Sequence, residues 1–321
     1  MFQYLIRRVL WACVLFVAIT IVAYVIFFII PVNPAQLACG QRASPACIKN
    51  ASDNLGLDKP VYQQYGRFLW KLVVHQDLGK SYTNRQSVNK TVMNAAPVTA
   101  SLVLGGAVLW LLIALPIGIL SALRPRSLLD RASMVFVLIG ISSSPIWIGL
   151  ILSYVVGFRL GWAPITGYCD LINPSTTCGG PAQWAWHLML PWITFAILFA
   201  AIYARMIRAS VMETSSEDYV RTARAKGAPE SVVLRSHILR NALLPVVTLL
   251  GMDLGVALGG AVFTETVFSL PGMGQTALQA ISNFDLPTVQ GIVVFATISI
   301  IVLNLLVDLL YVVIDPRIRL S

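Results

Sequence analysis

Few side chains in this 321-residue chain are chemically equipped, and their spacing limits what they can do. Gly79-Lys80-Ser81 invites a phosphate-binding reading. A P-loop, however, needs a Gly five residues before its second Gly so that successive backbone N–H groups cradle phosphate. Val74 stands there, and with no other phosphate loop the chain is expected not to hydrolyse ATP itself. His75, His187 and His237 fall in three different segments, so they form no catalytic set and the chain reads as a non-enzyme. Cys39 with Cys47, and Cys169 with Cys178, make two close pairs, whereas Cys13 stands alone. Neither pair has CxxC spacing or a nearby His in sequence, so no metal site and no cofactor bound by this chain are expected. Asp253, Glu265 and Asp308 lie within or at the ends of long apolar stretches. An ionisable group costs at least about 2.5 kcal/mol at a bilayer centre, so each needs a partner, a water-filled cavity or a role. The most informative stretch is different: Asp218-Tyr-Val-Arg-Thr-Ala-Arg-Ala-Lys-Gly227, followed by His237-Ile-Leu-Arg-Asn-Ala-Leu-Leu-Pro245, a basic, helix-prone island between strongly apolar segments.

The elements that must position these residues are membrane helices. The chain is 57% hydrophobic and 12% charged with a mean hydropathy of +0.76. Soluble domains carry roughly 25% charged residues, so the composition indicates an all-α integral membrane protein. A helical span needs about 20 apolar residues. Six stretches qualify: Val9–Ile30, Val98–Leu123, Ala132–Gly157, His187–Ile207, Ala242–Phe268 and Thr288–Ile314. The first is longer than the apolar region of a signal peptide and lacks a small-residue cleavage site, which favours a retained span.

The net charge of +9 sorts by side, which argues against a nucleic-acid partner. If Arg7, Arg8, Arg124, Arg126, Arg131, the seven bases from Arg205 to Arg240, Arg317 and Arg319 are cytoplasmic, Arg159 is the sole Lys or Arg in the shorter outside loops. Long loops are largely exempt from the positive-inside bias, so the other bases, between spans one and two, do not disturb this. A multi-pass topology with both termini cytoplasmic follows. Both cysteine pairs then face the oxidising side, where two local disulfides or four free thiols remain open.

Three parts are expected: residues 1–30 as the N-terminal end and first span, 31–97 as a polar extracytoplasmic segment, and 98–321 as a membrane core carrying the loop 205–245. In the outer segment, Asp58-Lys-Pro60 is a helix start with a capping carboxylate and Pro in the first turn. Val61, Tyr65, Phe68 and Leu72 then recur at helical spacing. This reads either as a helix on the membrane surface or as a scoop on which a substrate-delivering protein docks. Pro116 in span two and Ser142-Ser-Ser-Pro145 in span three break the backbone ladder, to line a pathway with Ser143 and Pro145 or simply to pack. Gly251, Gly255, Gly259 and Gly260 give span five a smooth face for close helix approach, expected mainly against a second subunit.

Within the basic loop, Glu217 and Asp218 open a helical run in favourable contact with its dipole. Tyr219, Val220, Ala223 and Ala225 give it a small apolar surface, and Gly227 ends it as a C-cap would. A simple connector needs neither feature. The loop resembles the cytoplasmic docking loop of bacterial ABC importer permeases. Where that family generally has Glu-Ala-Ala before the Gly, this chain reads Arg221-Thr222-Ala223, similar to the dipeptide, oligopeptide and nickel branch. Tyr4-Leu-Ile-Arg-Arg8, Leu55-Gly-Leu-Asp-Lys-Pro60, Thr264-Glu-Thr-Val-Phe268, Leu270-Pro-Gly-Met-Gly274 and Asp315-Pro-Arg-Ile-Arg319 carry the resemblance along nearly the whole chain.

The resemblance implies a bacterial plasma-membrane permease working with a second, related permease, two ATPase subunits that bind ATP and Mg, and an extracytoplasmic solute-binding protein. It makes residues 217–227 a coupling helix, in which Ala223 allows close approach to an ATPase, Arg221 and Arg224 pair with its carboxylates, and Thr222 and Lys226 share the surface. Asp253 would either draw a peptide ammonium or bond a neighbouring subunit. Structural pairing is favoured for Glu265 and Asp308, with Glu265 also a candidate pathway residue. Di- or oligopeptides are the expected cargo, with nickel or another small solute as the alternative. A secondary transporter is disfavoured, because no inverted repeat with a midplane ion site is visible.

Overall fold

The computed structural model describes residues 2–26, 60–171, 178–259 and 261–314, with isolated residues between 39 and 52. The described part is helical, with only isolated bridges at Lys80–Ser87 and Asp170–Gly179. Helix α1 spans Phe2–Tyr24, α2 Val61–Val74, α3 Val88–Leu123, α4 Leu128–Ser142 and α5 Pro145–Leu152, which passes into a π-helical turn at Ser153–Arg159. Next come α6 at Pro181–Ser215, α7 at Asp218–Ala225, and α8 at Glu230–Ala242 with a π-helical middle at Val233–Leu239. The chain continues as α9 at Leu244–Leu258, α10 at Val262–Val267, α11 at Met273–Ser282 and α12 at Leu286–Ile314.

Among the described residues four helices are long and apolar enough to cross a membrane unaided, α1, α3, α6 and α12, and the number reaches six if each of two bent pairs is one span. The third expected span is therefore not one straight helix. Between α4 and α5 the axis turns by 103°. Ser143 and Ser144 are both extended, with ψ of 136° and 137°. Pro145 accounts for Ser144, since its ring disfavours the helical region for the preceding residue and its own fixed φ then suits the first turn of the next helix. The fifth expected span is also shorter than its apolar run. Helix α9 stops at Leu258, α10 starts afresh at Val262, and a 42° bend precedes α9.

The core forms where α6 lies against α3 and α4. Gly118 lets α3 approach so closely that a methyl group there would stand 2.7 Å from Ile207 Cβ, and one at Gly140 of α4 would stand 2.6 Å from Ala201 Cβ. Beside these contacts Trp110 stacks on Phe199 with ring centroids 4.6 Å apart and also meets Phe195 and Tyr203, an aromatic cluster that adds directional preference to its buried area. The glycine face of α9 is spent inside the chain: added methyls at Gly255 and Gly259 would meet Ile300 and Ala296 of α12. This corrects the expectation of a second-subunit contact at those two residues; Gly260 lies outside the described residues.

Helix α2 lies lengthwise along α1. Tyr65 and Phe68 pack on Tyr24, Tyr24 Oη donates to Gln64, and Phe16 shares a cavity wall with Leu72 and Val73. Its half-buried stripe therefore faces a neighbouring helix, while Tyr62, Trp70 and Val73 stay exposed. Pro60 occupies the N-cap position itself, and Asp58 lies outside the described residues.

Candidate functional site

The loop between α6 and α9 folds as a pair of helices. Helix α6 ends at Ser215 and a turn at Ser216 and Glu217 leads directly into α7. Glu217 takes the N-cap position and Asp218 the first turn, so two carboxylates meet the positive end of the dipole. The other end closes as a Schellman motif: Gly227 N–H donates to Arg224 O at 3.0 Å and Ala228 N–H to Ala223 O at 3.2 Å. Gly227 has φ of +80°, a left-handed conformation that costs a residue with a Cβ, yet nothing lies within 4 Å of where a Cβ would stand. Its glycine is needed for the backbone turn, and its surroundings are open.

Several bonds fix α7 to α8. Val220 is fully buried beneath the π-helical part of α8, Tyr219 Oη accepts from Asn241 Nδ2 at 2.8 Å, and Arg224 forks onto Glu230 at 2.7 and 3.2 Å. The hydrogen bonds to the Glu230 carboxylate raise the already high pKa of Arg224. These contacts revise the expected division of labour. Val220 and half-buried Ala223 face the protein's own core, so the close approach that Ala223 permits is to its own chain. Arg224 already has a carboxylate. Arg221 lies 3.7 Å from Asp218 with both side chains mostly in solvent, a weak pairing that leaves its fork available. The outward face is thus Asp218, Arg221, Thr222, Ala225 and Lys226.

The buried carboxylates have separate partners. Glu265 is wholly enclosed: Thr99 Oγ1 donates to it at 2.7 Å and Gln275 N–H at 2.9 Å, while Thr99 accepts from Met273 N–H at 2.8 Å. It ties α3 to the α10–α11 turn, as the pairing reading expected, and is closed to any pathway. Asp253 is half-buried and accepts from Tyr203 Oη of α6 at 2.7 Å, a partner within its own chain. Ser143 Oγ donates to Ile139 O beside the break that Pro145 imposes. The structure brings none of Ser143, Asp253 and Glu265 into mutual hydrogen bonding. The side chain of Asp308 lies outside the described residues.

Cys169 and Cys178 are joined as a disulfide with Cα atoms 5.3 Å apart; Cys39 is also disulfide-bonded, and Cys47 lies outside the described residues. Folding does bring a histidine to the second pair, against the expectation from sequence spacing. His187 Nδ1 stands 3.1 Å from Cys169 Sγ and 2.9 Å from Gln183 O. In the disulfide the two sulfurs are committed to each other.

Sequence reasoning missed two further acidic centres. Asp285 accepts from Ser81 Oγ at 2.5 Å, Tyr82 N–H at 2.8 Å and Thr288 Oγ1 at 2.8 Å. Lys80-Ser81 therefore belongs to a turn clamped to the start of α12. Asp130 accepts from Arg208, Ser121 and the Arg126 N–H. Ser127-x-x-Asp130 is a capping-box pattern and was a legible signal for the start of α4. Nothing local pointed to Arg208, 78 residues away. A cavity of about 580 Å³ between α1, α2 and α12 is lined mainly by apolar residues such as Trp11, Phe16, Leu69 and Ile301, apart from the loop.

Helices long and apolar enough to cross a membrane, with two bent pairs among the described residues, define a multi-pass membrane protein. The chain belongs to the family of binding-protein-dependent transport system inner membrane components, whose profile matches residues 114–320; the family's N-terminal membrane component matches residues 1–103. It is 37% identical to the dipeptide transport system permease protein DppB of Alkalihalophilus pseudofirmus, over 99% of this chain and all of that one. It is 36% identical to DppB of Escherichia coli K12 over 99% of both chains, and 38% identical to that organism's probable D,D-dipeptide transport system permease protein DdpB over 99% of this chain and 98% of that one. A solved amino acid ABC transporter aligns with 70% of this chain and 92% of its own at a TM-score of 0.47 and 16% identity.

Proposed function

We propose that this chain is one membrane half of an ATP-driven importer of di- or oligopeptides. The observation that carries the reading is identity of 36–38% over 99% of the chain to permeases named for dipeptide transport. The charge distribution supports a topology with both termini in the cytoplasm of a bacterial plasma membrane. The loop end of the bundle then faces the ATPases. Helix α7 is the surface on which an ATPase subunit seats, with Arg221 and Lys226 offering cations to its carboxylates. A second, related permease completes the passage, two ATPase subunits bind ATP and Mg, and an extracytoplasmic binding protein delivers substrate to the opposite face. ATP binding closes the ATPases beneath α7, and the bundle alternates between outward and inward access. Asp253 and the Ser143–Pro145 break line the passage.

The test is uptake of labelled di- and tripeptides by cells with and without this gene, with excess nickel as competitor. Loss of peptide uptake on deletion, unaffected by nickel, is expected. Intact peptide uptake in the deletion strain would overturn the peptide assignment and move the cargo to nickel or another small solute.

A further inference from the structure

Asp130 is a charge that neither the docking surface nor the passage uses. It is only 5% exposed, yet its two oxygens collect donors from separate elements. Arg208 Nε and Nη2 of α6 reach them at 2.7 and 3.0 Å, Ser121 Oγ of α3 at 2.5 Å and the Arg126 N–H of the intervening turn at 2.9 Å. Capping α4 does not require this, since Ser127 Oγ already accepts from the Asp130 N–H. The added element is the fork from α6, and a two-point guanidinium–carboxylate contact fixes orientation as well as distance. Its location gives it a consequence. Arg208 lies two turns before α6 ends at Ser215, and after one short turn the chain is α7. Ser210 Oγ, in the same stretch, donates to Ala242 O at the end of α8. One short length of α6 is thus bonded to α4, and through Asp130 to Ser121 of α3, on one side and to α8 on the other.

We propose that the Asp130–Arg208 clamp transmits movement of α7 to α3 and α4. Displacement of α7 by a partner travels along α6, and the clamp obliges α3 and α4 to follow, which changes the 103° break at Ser143–Ser144. Asp130 and Arg208 are positioning residues for transport and touch neither substrate nor ATPase. This inference rests on the coupling role of α7.

The experiment uses the whole transporter reconstituted in liposomes with its ATPases and binding protein, measuring ATP hydrolysis and substrate uptake together. For Asp130→Asn, hydrolysis stays within about twofold of the unaltered transporter while uptake per ATP falls roughly tenfold, a size usual for coupling between sites. Uptake per ATP equal to the unaltered transporter would overturn the proposal. Should Asp130→Asn fail to assemble, Arg208→Lys, which keeps the charge and loses the fork, decides on the same two readouts. In a Cys13→Ser background, Asp130→Cys with Arg208→Cys is then bridged by a short bifunctional thiol reagent. Bridging restores uptake per ATP if the contact is mechanical, and no recovery would also overturn the proposal. Gly227→Trp is run in parallel: normal uptake by that variant removes the coupling reading itself, whereas its failure beside normal Asp130→Asn removes only the clamp.

Discussion

Thr99 uses one hydroxyl twice, donating to Glu265 and accepting from the Met273 N–H. Removing it leaves a buried carboxylate oxygen and a buried amide short of partners, and such losses cost about 1–3 kcal/mol each. Thr99→Val is therefore expected to lower stability by about 3 kcal/mol, read as a lower thermal midpoint of the purified protein, while Thr99→Ser stays near the unaltered value. At Asp253 the bond from Tyr203 opposes a free role. If Asp253 faces the passage and draws a peptide ammonium, Asp253→Asn weakens uptake affinity for peptides with a free N-terminus more than for N-acetylated ones. Equal affinities across both sets would leave Asp253 as the acceptor for Tyr203 alone. Glu265 and Asp253 were visible in the sequence as charges that required partners. Thr99 and Tyr203 were not, because a hydroxyl in an apolar helix carries no local mark of what it will meet.

Helix α7 was legible at both ends because its stop and start signals are local: acidic residues at the first turn and a glycine two residues past the last. Which side of it faces outward was not legible. The burial of Val220 and Ala223 depends on α8 folding back over them, a contact set by Gly227. A graded series at Gly227 separates backbone from docking. Gly227→Ala pays about 1 kcal/mol for the left-handed conformation. Gly227→Asn, which tolerates that region, transports close to normally. Gly227→Trp, with open space in this chain but bulk on the partner face, loses uptake at normal expression. Equal uptake by the Asn and Trp variants would contradict a docking role. The breaks at Ser143–Ser144 and after Leu258 show the same division. Pro145 marked a discontinuity, but the apolar count ran through it.

At the scale of the molecule, the charge asymmetry predicts an orientation with both termini in the cytoplasm, which direct measurement tests. In a Cys13→Ser background, exposed Gln86→Cys is expected to react with a membrane-impermeant thiol reagent in intact cells, and exposed Glu213→Cys only after the cells are opened. Reversed labelling would invert the topology and remove α7 from the ATPase side. Composition and apolar run length determined the all-helical membrane class and the approximate number of spans, and local cap signals the place of the basic helical loop. Each of these is a sum over local residues or a local stop signal. The tertiary structure alone decided that the α9 glycines serve α12, that α2 lies on α1, that His187 stands beside Cys169, and that Asp130 holds Arg208. Those contacts join residues far apart in the chain through packing geometry. A single charge or glycine in the sequence states that a partner is required and leaves its identity to the fold.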